Sequence, residues 1–184
     1  VTSDNNRKYL EDKDYISPNR VFIIENFIDI NSFKPLNLKR YKNKILFVGR
    51  VSKEKNLYSL IKSISEMDMI LDVYGCGELK EELKEYVNRK NIAVNFKGMM
   101  PNSELPYIYN KYKYYILPSY FEGMPKTLLE AMACGCICIG TNVNGINEII
   151  EDGLNGFLSE GINYGDITRV IYRAFALSNS YIQN

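Results

Sequence analysis

Apolar runs of three to five residues recur along this chain and are separated by stretches with helical spacing. The runs Val21–Ile24, Ile45–Val48, Ile70–Tyr74, Val94–Phe96, Tyr114–Leu117 and Ile137–Ile139 read as strands. Between them Leu57, Leu60, Ile61 and Ile64 repeat at helical intervals. So do Leu79, Leu83, Tyr86 and Val87 and, less regularly, Leu105, Ile108 and Tyr109. Near the end, 151–156 reads as a turn before a short apolar strand at Phe157 and Leu158, and Ile167, Val170, Ile171 and Ala174 predict a last helix. Strand–helix alternation of this kind predicts an α/β protein: a Rossmann-like, doubly wound parallel sheet with helices on both faces. Runs without polar interruption, such as Ile45-Leu46-Phe47-Val48, agree, because such strands are covered on both sides.

In such sheets ligands bind at the carboxyl ends of the strands. Four segments of this chain fall there: Gly49-Arg50, Gly75-Cys76-Gly77, Gly98 with Met99, and Ser119 to Lys126. The last is the most informative. Glu122 and Glu130 have seven residues between them, and Gly123, Met124, Pro125, Lys126 and Thr127 open an apolar helix inside that interval. Pro125 suits the first helical position, where its missing N–H costs nothing. The N–H groups after it, together with the Lys126 ammonium, form an anion site at a helix N-terminus. A carboxylate on each side of that site suits a ligand carrying hydroxyls on both sides of a phosphate, as a nucleoside diphosphate sugar does. In the loop after Val48, Gly49 allows close backbone approach, Arg50 can fork onto phosphate oxygens, and Lys55 adds a point charge. The Gly75-Cys76-Gly77 turn resembles the start of a dinucleotide fingerprint. The third glycine of that fingerprint is absent, since position 80 is Lys80, which argues against a hydride-transferring enzyme.

Composition narrows the chemistry further. With 184 residues, one domain with tails is expected. A net charge of +1 gives no argument for a nucleic-acid partner, and no apolar run is long enough to span a bilayer. The absence of His removes the commonest general base and the commonest metal ligand. Cys134, Cys136 and Cys138 are spaced too closely for the usual zinc pairs, so they and Cys76 read as free thiols, Cys138 as a small core hydrophobe.

Three stretches, taken in order, resemble the C-terminal domain of glycosyltransferase family 4, retaining enzymes of the two-domain GT-B fold. They are Ile45 to Arg50 with Lys55, Gly75 to Gly77, and Pro118-Ser119 through Glu122 to Glu130-Ala131-Met132. A fourth, Gly145 to Ile150 with Gly153, Asn155 and Gly156, is similar to the family's closing motif. The chain departs from the family's habits at Ile137 and Asn147, where Pro is common, at Asn142, where Asp is common, and at Asn144, where Gly is common.

The resemblance implies roles. Arg50 and Lys55 would bind the donor diphosphate and stabilise the leaving group, and Glu122 would bind donor-sugar hydroxyls. Gly123, Met124, Pro125, Lys126 and Thr127 would meet sugar and phosphates, and Glu130 the ribose. The nucleobase would sit near Gly98 and Met99, close to Gly75 and Gly77. With Arg, Lys and a helix dipole meeting the phosphates, no metal and no cofactor is expected; the nucleoside diphosphate sugar is the substrate. Residues 1–43 would connect domains and carry the outlying strand Val21–Ile24, and residues 44–184 would form the nucleotide-sugar-binding domain. The acceptor, a glycan or lipid-linked glycan, would bind an N-terminal domain not contained in the chain, so isolated residues 1–184 are expected to transfer no sugar. A cytoplasmic location, extending to peripheral association with the inner face of the membrane, is the corresponding expectation. Two other readings stay open: a non-catalytic module that binds nucleotide sugar or glycan, and an epimerase of the same architecture.

Overall fold

The computed structural model describes residues 1, 4–13, 17, 20–24 and 26–180. Six strands form one sheet: β1 (Tyr41–Val48), β2 (Ile70–Tyr74), β3 (Val94–Gly98), β4 (Tyr112–Leu117), β5 (Ile137–Thr141) and β6 (Phe157–Ser159). Their spatial order is β3-β2-β1-β4-β5-β6, and every neighbouring pair is parallel. The helices are α1 (Asp4–Asp12), α2 (Leu57–Ile64), α3 (Lys80–Lys90), α4 (Leu105–Asn110), α5 (Lys126–Ala133) and α6 (Tyr164–Ser180).

The sheet grows outward from β1 in one direction through β2 and β3, then restarts on its other side at β4. Right-handed crossovers therefore put α2 and α3 on one face and α4 and α5 on the opposite face. Helix α6 returns to pack on α2. The reversal leaves a crevice between the carboxyl ends of β1 and β4, where doubly wound sheets bind ligands. The loops from Gly49 to Lys55 and from Ser119 to Lys126 leave those two strands.

The core follows the apolar runs. Ile45, Leu46 and Phe47 of β1 are fully buried, as are Leu71 and Val73 of β2 and Tyr115 of β4. One carboxylate is buried within the sheet: Asp72 accepts hydrogen bonds from Asn95 Nδ2 (2.6 Å), Tyr112 Oη (2.6 Å) and Lys44 Nζ (3.2 Å). With an ammonium and two neutral donors on it, the charge is compensated where it lies.

Two expectations are corrected. Val21–Ile24 forms no strand: Phe22 and Ile24 are exposed, and Ile24 N–H donates to the carbonyl of Val1 (2.8 Å). The segment pairs with neither edge strand of the sheet, β3 or β6. Nor does the folded unit begin at residue 44, since β1 starts at Tyr41 and Phe33 is buried in the core. A helix, α1, also forms in the polar stretch near the start, where Arg7 and Glu11 pair one turn apart (3.8 Å).

The four cysteines form no disulfide. Burial pushes the thiol of Cys134 up to about 11, that of Cys136 up to about 12, and that of Cys138 well above the ordinary range. Such thiols behave as small hydrophobes rather than nucleophiles.

Candidate functional site

The site is assembled by cross-ties between loops. Gly49 N–H donates to the carbonyl of Tyr74 (3.0 Å), Val51 N–H to that of Cys76 (2.9 Å), and Gly75 N–H to that of Gly98 (2.8 Å). Tyr120 N–H donates to the carbonyl of Glu54 (2.9 Å), which ties the loop after β4 to the loop after β1. Close packing explains two of the sequence-marked glycines. A Cβ on Gly75 would lie 1.8 Å from the Gly49 carbonyl oxygen, and one on Gly77 would lie 2.2 Å from that of Val51. Both positions require glycine so that neighbouring backbones can touch.

Seven of the residues marked in the sequence surround one cleft of about 420 Å³: Gly49, Arg50, Lys55, Glu122, Pro125, Lys126 and Thr127. Glu54 completes the lining. A smaller apolar hollow of about 190 Å³ shares Gly49 and is lined by Val48, Tyr74, Gly75, Met99, Met100 and Leu105. Gly77, Gly98, Gly123, Met124 and Glu130 line neither space. Gly98 has a left-handed φ of 79° and open space around its Cα, a turn conformation that favours glycine.

Charge is concentrated in the cleft. Lys55 Nζ donates to Glu122 Oε1 at 2.5 Å, and the buried Ser119 Oγ donates to the same oxygen at 2.6 Å. Ser119 thereby fixes the orientation of Glu122. Glu54 accepts from Ser52 Oγ (2.5 Å), which holds its carboxyl below the usual carboxylate range, helped by its own backbone and by the nearby Lys55 and Arg50. Arg50 is exposed and makes no hydrogen bond or ion pair with the described residues.

Helix α5 begins one residue later than the sequence suggests. Pro125 is extended, with φ −74° and ψ 109°, and caps the helix instead of occupying its first turn. Its carbonyl accepts from Leu128 (3.2 Å) and Leu129 (3.4 Å), while the N–H groups of Lys126 and Thr127 have no helical acceptor. One turn further in, Glu130 is 7% exposed and accepts a hydrogen bond from Tyr109 Oη (2.8 Å). Burial raises its acid range; the Tyr109 bond and the Lys126 charge act in the opposite direction.

Sequence reasoning missed three supports of this site. Asn26 Nδ2 donates to the carbonyl of Met124 (2.5 Å), so a residue 98 positions earlier pins the loop before α5. Tyr115 Oη donates to Thr127 Oγ1 (2.8 Å), and Tyr109 holds Glu130. No local signal marks them, because each acts through an element distant in sequence. A fourth contact concerns Gly145: a Cβ there would lie 2.2 Å from the Gly123 carbonyl oxygen, so the turn after β5 packs directly on the Glu122–Gly123 loop. Two of the residues that depart from the family pattern meet on that turn, where Asn147 Nδ2 donates to Asn142 Oδ1 (3.0 Å).

Comparison with known proteins gives the assignment. Residues 29–181 match the family described as glycosyl transferases group 1. The chain belongs to that family. Among curated glycosyltransferases it is 33% identical over 165 residues to the Escherichia coli UDP-Gal:alpha-D-GlcNAc-diphosphoundecaprenol alpha-1,3-galactosyltransferase, covering 79% of this chain and 43% of that one. It is 34% identical over 154 residues to a Campylobacter jejuni 4-alpha-N-acetylgalactosaminyltransferase named for a diphospho-undecaprenol-linked acceptor, covering 79% and 41%. Among solved structures, Anabaena HepE in complex with UDP-glucose superposes with a TM-score of 0.86 at 19% identity, over 97% of this chain and 54% of that chain. A mutant of S. aureus TarM, solved with Fondaparinux, alpha-GlcNAc-glycerol and UDP, superposes at 0.85 and 21% identity, over 96% and 36%. These superpositions show the fold: one Rossmann-like domain of a GT-B glycosyltransferase. The chain spans less than half the length of these two curated relatives. No described helix of this glycosyltransferase chain is long and apolar enough to cross a membrane.

Proposed function

We propose that this chain binds the donor for a retaining glycosyltransferase that moves a hexose from a nucleoside diphosphate sugar, UDP-linked in the first instance, to an acceptor hydroxyl. The observation that carries the reading is the placement of cations. Arg50, Lys55 and Lys126 line a cleft that also receives the N-terminus of α5. Glu54 and Glu122 also line it, and Glu122 pairs with Lys55, so one cation is left in excess beside the positive end of the helix dipole, an arrangement that an added anion would stabilise. A diphosphate is such an anion, and the carboxylates at Glu122 and Glu130 supply acceptors for hydroxyls on its two sides.

In this reading Arg50 and Lys55 neutralise the charge that develops on the leaving diphosphate, which lowers the barrier without a metal. Glu122 orients the sugar ring and Glu130 the ribose, with the base toward the hollow at Met99 and Gly75. The departing phosphate assists loss of the acceptor proton on the same face of the sugar, which gives retention. The acceptor, a glycan or lipid-linked glycan, comes from a second GT-B domain, so residues 1–184 alone bind nucleotide without transferring sugar. The named acceptors of the bacterial relatives support a role in the assembly of lipid-linked glycan.

Titration with UDP, GDP and ADP sugars tests this. Lys55→Ala is expected to weaken donor binding by about 1.5–3 kcal/mol, the usual range for a charge-assisted contact. Glu130→Ala should weaken nucleotide more than free pyrophosphate. If neither change affects binding, the cleft is not the donor site.

A further inference from the structure

We infer that Tyr109 is a positioning residue for the donor nucleoside, its hydroxyl holding the Glu130 carboxylate in the orientation that leaves one oxygen for the ribose. This rests on the donor-site reading above and extends it to a residue outside the cleft, on another helix.

Glu130 is nearly enclosed, and among the described residues Tyr109 is its only hydrogen-bond donor, acting on Oε2 at 2.8 Å. Oε1 accepts nothing from those residues, yet it is not among the sealed and unpaired polar atoms, so it is the oxygen open to a ligand. The tyrosine cannot swing away. Its ring is fully buried, edge-on to Phe33 (6.2 Å between centroids) and to Tyr115 (5.9 Å). Tyr115 in turn donates to Thr127 Oγ1 at 2.8 Å. Thr127 and Glu130 are three residues apart, hence on one face of α5. Two touching tyrosines, one from α4 and one from β4, thus set two successive side chains on that face.

The hydroxyl also bears on ionisation. Burial favours the neutral acid at Glu130, and the Tyr109 bond favours the carboxylate. The other groups facing it are Lys126 on α5, Cys134 just after that helix and Tyr115 on β4. Of these only Lys126 carries a charge that favours the carboxylate. Without the Tyr109 hydroxyl, ionisation of Glu130 moves to higher pH.

The test is Tyr109→Phe in the full-length protein, which keeps the ring packing and removes one oxygen. UDP, GDP, ADP and inorganic pyrophosphate are titrated by calorimetry from pH 5 to 8, beside wild type and Glu130→Ala. The expected result is a loss of roughly five- to tenfold in affinity for the preferred nucleotide, with pyrophosphate changed less than about twofold. The acid limb of the nucleotide affinity profile should also shift upward in pH. Equal weakening of nucleotide and pyrophosphate would mean general distortion and overturn the inference. Weakening by Glu130→Ala but not by Tyr109→Phe would overturn it while leaving the donor site standing. No nucleotide binding by wild type would overturn both, and no effect of Glu130→Ala would overturn this inference alone unless Lys55→Ala is silent as well.

Discussion

Helix α5 has basic side chains at both ends, and the two ends use them in opposite ways. At its C-terminal end Arg40 donates to the carbonyls of Tyr112 (2.8 Å), Gly135 (3.1 Å) and Cys134 (2.6 Å) and to Asn110 Oδ1 (3.2 Å). A cation there complements the negative end of the helix, and its donors are taken up by the protein. At the N-terminal end the cations sit against the helix dipole. Arg50 has no hydrogen-bonded or ionic partner among the described residues, and Lys126 faces the Phe27 ring at 5.9 Å and acts on Glu130 through its charge, while Lys55 pairs with Glu122. One end is saturated by hydrogen bonds within the protein; at the other, an arginine keeps its donors free of the described residues. The same residue type, arginine, therefore reads as scaffold at position 40 and as binding group at position 50, and only the partner inventory separates them.

The sharpest way to break this contrast is to remove each arginine in turn. Arg40→Ala should lower stability by about 1–3 kcal/mol, because three carbonyls, two of them part-buried, lose a charged donor. Donor affinity per folded molecule should be unchanged. Arg50→Ala should reverse the pattern: roughly tenfold or greater loss of donor affinity, with stability within about 0.5 kcal/mol of wild type. Chemical denaturation and nucleotide titration on both variants check the pair. Equal effects on both readouts would dissolve the distinction.

A second, smaller effect concerns Glu130. Its acid range in the folded protein lies above the ordinary 4.5 because of burial. Between the unfolded and folded values the native state binds more protons, so stability falls as pH rises through that window and is level above it. Glu130→Gln keeps an acceptor for Tyr109 and removes the charge. It should melt above wild type at pH 8, with the gap closing toward pH 4, even as nucleotide affinity drops. Thermal melts across that range decide the sign.

The smallest effect is a counting one. Alkylation of the native protein should label Cys76 alone, because it is partly exposed while the other three thiols are buried. Mass spectrometry after unfolding should find Cys134, Cys136 and Cys138 labelled as well.

Much of the scaffold was legible because both faces of the sheet are covered. Ile70–Tyr74 appears as a strand with the bounds read from its residues, and Leu57–Ile64 as a helix between its outermost apolar positions. Val21–Ile24 was misread because an apolar run is ambiguous about what it packs on; here the side chains of Phe22 and Ile24 stay exposed. In the cleft, Arg50, Lys55, Glu122 and Lys126 could be named because charged groups at strand ends are informative by type. The supports could not. Tyr115, Tyr109 and Asn26 matter through which atom they reach, and that depends on chain crossings no local pattern records. The glycines fell between, since their spacing was visible but its cause was not.

That cause bears on how such a chain would change under relaxed selection. Gly75, Gly77 and Gly145 are held by contact with other backbones, at Cβ distances of 1.8, 2.2 and 2.2 Å, whether or not any substrate is ever bound. A descendant freed of any ligand that survived as a folded protein would keep these three and be free to drift at Arg50 and Lys126. Retained glycines would then be a record of ancestry, and the two exposed cations would be the first positions to record a change of ligand.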